Sequence, residues 1–207
     1  MEPKISLIIP AYNAEELLMR ALESVPKADD IQMILLDDGS SDKTWQIMRD
    51  WWKNNSKYYH RTSTLHRWEP NKGVAKTMNL GFNLAQGEYI VSLSSDDYYV
   101  TDFEQFRPYL DGKNDLVYFD LQTNDGDVWR LDEVSKNIYV GAVKFIRREF
   151  LGDTRVPGLK WHEDAPFSGE LYKKNPKEAF TRIILKHYDW PREGSLSWQA
   201  NNKSEQN

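Results

Sequence analysis

Along the first 120 residues, short apolar runs alternate with segments of helical periodicity. Ile5–Ile9 is an apolar run ending at Pro10 and reads as a buried strand. Leu17, Leu18, Ala21, Leu22 and Val25 then fall at helical spacing, predicting a helix over 14–24 with Asn13 and Glu16 as a capping box. Met33–Leu36 is a second buried strand, closed by Asp37-Asp38-Gly39-Ser40. Thr44–Trp52 reads as a helix, Ser63–His66 as a weaker strand, and Val74–Gln86 as a helix with Gly87 at its C-cap. Tyr89–Leu93 and Leu116–Asp120 are further strands, the first running into Ser94-Ser95-Asp96-Asp97.

Strands separated by helical segments imply right-handed crossovers and an α/β fold with a largely parallel sheet flanked by helices. Ligands of such sheets bind beyond the carboxyl ends of the strands. Those ends carry Pro10-Ala11-Tyr12-Asn13, Asp37-Asp38-Gly39-Ser40 and Ser95-Asp96-Asp97, so the three clusters should converge. After about Gly112 the rhythm changes. Asn124-Asp125-Gly126-Asp127 predicts a hairpin turn between 116–122 and 128–131. Lys144–Phe150 reads as a short helix, 155–163 as a loop, Ala165–Lys174 as a helix and Thr181–Leu185 as a strand. Without repeats or a linker, one domain is expected over 1–198, with a polar tail at 199–207.

Composition narrows the class. Of 207 residues, 40% are hydrophobic and 29% charged, which excludes collagen-like and mostly disordered chains. No apolar run approaches a membrane span, and Met-Glu-Pro-Lys lacks a secretory signal pattern. The absence of cysteine removes disulfides, thiolate zinc sites and a Cys nucleophile, and agrees with a cytoplasmic protein. A net charge of −5 gives no global drive towards nucleic acid or anionic lipid. Locally, 51–68 interleaves Lys53, Lys57, Arg61 and Arg67 with Trp51, Trp52, Tyr58, Tyr59 and Trp68 and has no acidic residue. Single-stranded nucleic acid binders use this pattern, and so does a helix end with core-facing aromatics.

Four clusters could carry chemistry. Adjacent carboxylates Asp96 and Asp97 repel one another unless a cation or hydrogen-bond donors neutralise them. Oxygen ligands of this kind suit Mg2+ or Mn2+ bridging to a diphosphate, and turn chemistry also explains them. Asp37 and Asp38 could accept from a ribose hydroxyl or a base N–H, or serve the turn before Gly39. Lys72 and Lys76 at a helix start favour an anion. Asp164 could cap its helix or act as a general base at the mouth of a cleft. Phosphate-loop, dinucleotide and nucleophile-elbow motifs are absent, and the four His show no paired zinc spacing.

Taken in order, these clusters resemble the family 2 nucleotide-sugar glycosyltransferases of the GT-A fold. The segments carrying the resemblance are Ile5–Asn13, Ile34–Asp42, Asn71-Lys72-Gly73 with Lys76, Asn79, Gly81 and Ala85–Ile90, Leu93–Asp97, and Glu163-Asp164. It is specific over 4–100 and thinner from there to about 198. The resemblance implies that Pro10, Ala11, Tyr12, Asp37 and Asp38 hold the nucleoside, uridine foremost, with Lys76 near base or phosphate. It implies Asp96 as metal ligand for Mn2+ or Mg2+, Ser95 and Asp97 beside the donor, Asp164 as the base of an inverting transfer, and His187 as a late metal ligand. Residues 1–100 would then form the donor half and 101–198 the acceptor half. One departure is Ser94, which stands where the family's metal motif has its first Asp.

The expected function is transfer of a sugar from a UDP-sugar to an acceptor hydroxyl of a surface glycan. Two alternatives stay open: a nucleic-acid-modifying sugar transferase using the 53–67 stretch, and a non-catalytic nucleotide-sugar or glycan binding module, to which Ser94 points. The chain is short for the resembled family, which implies acceptor recognition with a partner or in a homodimer.

Overall fold

The computed structural model describes residues 2–137, 143–159, 164–190 and 192–193. Its strands are β1 (Ile5–Ala11), β2 (Ile31–Asp37), β3 (Thr64–Arg67), β4 (Tyr89–Ser92), β5 (Tyr98–Tyr99), β6 (Leu116–Thr123), β7 (Val128–Trp129), β8 (Lys144–Arg147) and β9 (Glu178–Tyr188). Its helices are α1 (Leu18–Glu23), α2 (Thr44–Asn55), α3 (Val74–Leu84), α4 (Arg148–Leu151) and α5 (Asp164–Tyr172).

The strands form one sheet in the order β3-β2-β1-β4-β8-β6-β9-β5, with β7 on β6. The first four run parallel. Both β1 and β2 are buried along almost their whole length, as strands covered on both faces must be. Beyond β4 the sheet turns mixed: β8 is antiparallel to both β4 and β6, β9 is parallel to β6, and β5 is antiparallel to β9. The mixed α/β class follows the expectation, while the parallel character belongs mainly to the first half.

Two segments differ from their sequence reading. Residues 144–147 form a strand, with one helical turn after them. A mixed stretch this short does not separate a strand from a helix by its own pattern. Here the open ladders of β4 and β6 decide, pairing Ile146 with both Ile90 and Leu116. Helix α1 starts only at Leu18, and Asn13 is no cap: with φ 48° it accepts the Ser41 N–H at its Oδ1, 2.9 Å away.

Gly87 also has a different role from the predicted C-cap, since Ala85 caps α3. A Cβ on Gly87 would lie 2.4 Å from the Ser6 amide nitrogen. Only a hydrogen at that position lets the chain entering β4 pass so close to β1. The aromatic richness of the chain goes largely into the core of the second half, where Phe103 and Phe106 pack on Phe145 at 5.6 and 5.3 Å. Trp51 and Tyr59 are likewise buried, 5.9 Å apart.

Candidate active site

The register of β1 on β2 puts Ala11 beside Asp37, and the Asp38 N–H donates to the Ala11 carbonyl at 2.8 Å. The first two polar clusters therefore meet at one sheet edge. Asp37 is fully buried and ion-paired to Arg67 Nε at 3.1 Å. Arg67 Nη2 also donates to the Ser40 carbonyl at 3.0 Å. A residue read from sequence as part of a basic surface stretch is thus an internal anchor for the second cluster.

Asp38 fastens the head of α3. Its Oδ1 accepts the Lys72 N–H at 2.8 Å, and its Oδ2 accepts the Gly73 N–H at 2.9 Å and Asn71 Nδ2 at 3.1 Å. A carboxylate has about four acceptor sites, so roughly one is left for a ligand. Gly73, at φ 89°, supplies the left-handed backbone this loop needs. Removing an ionised acceptor that serves two backbone N–H groups is expected to lower stability by roughly 2–3 kcal/mol in Asp38→Ala. A urea melt checks this; a midpoint equal to the parent's would show that the loop is held by other contacts. Around this edge Pro10 is half-buried, while Tyr12 (52% exposed) and Lys76 stand open to solvent.

The third cluster is held from the far end of the chain. Asp97 is buried, with Lys186 Nζ 2.9 Å from its Oδ2 and the Asp189 N–H donating to its Oδ1 at 3.0 Å. Burial pushes its carboxyl upward and the Lys186 ammonium opposes that shift. Asp96 Oδ2 pairs with Arg192, whose Nε lies 3.0 Å from Asp189. Arg20 Nη2 donates to the Asp96 carbonyl at 2.6 Å. Ser95 is half-buried in the same turn. His187 stacks on Tyr98, centroids 4.6 Å apart, and its Nδ1 is buried without a hydrogen-bond partner.

Whether this turn fits a divalent cation rests on its donors. Among the described residues, no three His, Asp or Glu side chains come together as a metal cage. His187 lies against Tyr98, and Asp97 is spent on Lys186. Asp96 is paired with Arg192 and, at 29% side-chain exposure, is open to a ligand as well. Mg2+ is often held by one or two carboxylates plus substrate phosphates, and that limited donor set is what Asp96 provides.

A cavity opens between the carboxyl ends of β1 and β4, α3, β8 and α5. Pro10, Ser94, Lys144 and Asp164 border it, with Met78 and Phe167 as apolar walls. Asp164 is therefore in company with Pro10 and Ser94, while Tyr12, Asp37, Asp38, Ser95, Asp96 and Asp97 do not border this cavity. Asn79 on α3 clamps the loop that closes one side: its Nδ2 donates to the Val156 carbonyl and its Oδ1 accepts the Val156 N–H, both at 2.9 Å. Lys144 is 4% exposed and donates to Ser168 Oγ at 3.0 Å. Desolvation pulls its ammonium down to about 8, and the Asp164 and Glu178 carboxylates oppose that shift. Sequence reasoning missed Lys144 because it set 144–150 on a helix. It missed Arg192 and Lys186 because nothing local ties them to residues some 90 positions away. Glu163 lies outside the described residues, as does the polar tail.

The family model for glycosyl transferase family 2 matches residues 6–173. An uncharacterized glycosyltransferase of Haemophilus influenzae is 32% identical over 220 residues, covering 96% of this chain and 83% of its own length. A poly(ribitol-phosphate) beta-glucosyltransferase of Bacillus spizizenii is 34% identical over 100 residues, 46% of this chain and 15% of that protein. Among solved structures, Staphylococcus aureus TarS 1–349 in complex with UDP-GlcNAc superposes with a TM-score of 0.77 at 23% identity, over 93% of this chain and 60% of that one. The mannosyltransferase PcManGT of Pyrobaculum calidifontis, in complex with GDP-Man and Mn2+, superposes with a TM-score of 0.74 at 16% identity, over 98% of this chain and 61% of that one. At these identities the superpositions establish the fold. The family match over most of the chain and the full-length likeness to the Haemophilus relative establish the rest: the chain belongs to glycosyl transferase family 2, the glycosyltransferases built on the GT-A fold.

Proposed function

We propose that this chain transfers a sugar from a nucleoside diphosphate donor, a UDP-sugar foremost, to a hydroxyl of a surface polysaccharide, with inversion at the anomeric carbon. The observation that carries this reading is the cavity bordered together by Pro10, Ser94 and Asp164 at the carboxyl ends of β1 and β4. A UDP-GlcNAc complex of TarS and the acceptor named for the Bacillus relative support the donor and acceptor classes.

In this reading Asp164 removes the proton of the acceptor hydroxyl. The oxygen attacks the anomeric carbon from the face opposite the diphosphate, the bond from that carbon to the diphosphate oxygen breaks, and the nucleoside diphosphate leaves. Tyr12, exposed at the strand end, is suited to pack on the base, and Asp37 and Asp38 set the loop edge beside it. Lys76, exposed in the first turn of α3, would serve base or phosphate. Asp96 would hold a divalent cation, Mn2+ or Mg2+, together with diphosphate oxygens; when bound, the cation neutralises the charge of the leaving group. Arg192 already places a positive charge on that carboxylate.

Titration calorimetry with UDP and Mn2+ tests the donor side. Asp96→Ala should lose the Mn2+-dependent part of UDP affinity. Equal affinity with and without Mn2+ in the parent, or an unchanged Mn2+ effect in the variant, would remove Asp96 from that role. No helix among the described residues is long and apolar enough to cross a membrane.

A further inference from the structure

Two lysines among the described residues are almost fully buried, and they are treated differently. Lys186 is 3% exposed and lies 2.9 Å from the Asp97 carboxylate, an ordinary neutralised pair. Lys144 is 4% exposed, bonds the Ser168 hydroxyl at 3.0 Å, and borders the cavity that Asp164 also borders. Ser168 follows Asp164 by four residues on α5, so the two occupy one face of the helix one turn apart. The hydrogen bond to Ser168 therefore ties the β8 ammonium to the helix that carries the candidate base.

We infer that Lys144 is a positioning residue for Asp164: its ammonium, braced on Ser168, holds the carboxylate towards the cavity and keeps a positive charge beneath the point where the acceptor hydroxyl loses its proton. The inference rests on the reading of Asp164 as the base. The groups facing Lys144 agree with it. Its ammonium is 5.9 Å from the Tyr118 ring on β6, and that ring's hydroxyl donates to Glu178 Oε1 at 2.8 Å. Glu178, on β9, is also ion-paired to Lys136. Glu178 thus shares its charge with Tyr118 and Lys136, and Asp164 is a second carboxylate acting on Lys144, from the cavity side. Burying an ammonium is costly, and a lysine that served only packing would be replaced by an apolar side chain at no loss.

The test has two arms on the full chain. In the first, lysines carrying 13Cε are titrated by NMR, with the Lys144 signal assigned by its absence in Lys144→Arg. The parent signal should titrate near pH 8, and Asp164→Asn should lower its midpoint by on the order of 0.5–1 pH unit, because an anion that favours the ammonium has gone. An unmoved midpoint overturns the inference.

The second arm follows hydrolysis across a panel of UDP- and GDP-sugars. Lys144→Met should lower turnover about tenfold or more, a share of what a general base supplies. Its melting temperature and UDP affinity should stay close to the parent's, and Lys144→Arg should keep most of the turnover. Parental turnover in Lys144→Met overturns the inference. Parental turnover in Asp164→Asn overturns the base reading itself. Should the parent hydrolyse none of the panel, the NMR arm alone decides for or against Lys144.

Discussion

Asp164→Asn is expected to lower turnover by about 10²–10⁴-fold and to leave UDP affinity nearly unchanged. The substitution keeps shape and removes the basic oxygen. Asp164 borders the cavity at the first turn of α5, and Tyr12, Asp37 and Asp38 are not among the residues that border it. A general base contributes to the barrier of the chemical step, whereas in the proposed reading donor affinity is assigned to the β1–β2 edge and the Asp96 turn. Initial rates at saturating donor, paired with calorimetry of UDP, separate the two effects. A parallel fall in affinity and rate would make Asp164 a structural helix cap; full activity would remove it from the mechanism.

The largest effect on stability is expected at Lys186. Lys186→Met leaves Asp97, 1% exposed, without its ion pair inside the sheet. Breaking a buried pair from one side typically costs about 3–5 kcal/mol. For a chain of this size that corresponds to a fall in melting temperature on the order of 10 °C. The double variant Asp97→Asn/Lys186→Met should recover much of the loss, since neither charge is then left alone. Thermal melts at neutral pH decide it; a single variant as stable as its parent would show that the Asp189 N–H alone satisfies Asp97. The same pair pins β9 to the turn after β4, so the variant should also weaken the hold on Asp96 exerted through Asp189 and Arg192.

Much of the first half was legible in the sequence, and the reason is local. Parallel strands buried on both faces show as short apolar runs, and β1, β2 and β4 were read within one or two residues of their ends. Their carboxyl-end clusters follow directly, because each stands next in sequence to its strand. Residues 144–147 were read wrongly because the choice between strand and helix was made by β4 and β6, some 55 and 30 positions earlier. Gly87 was read as a cap because its close approach to Ser6 is a contact across 81 residues.

The chain by itself therefore determined the crossover order, the strand ends and the acidic turns, since apolar periodicity and turn chemistry act between near neighbours. Tertiary structure decided what each carboxylate faces. Asp37 is neutralised by Arg67, Asp38 by loop N–H groups, Asp97 by Lys186 and Asp96 by Arg192, while Asp164 borders the cavity with Lys144. Charges interact through space at short range and low dielectric, so a carboxylate's role depends on which distant segment folds against it.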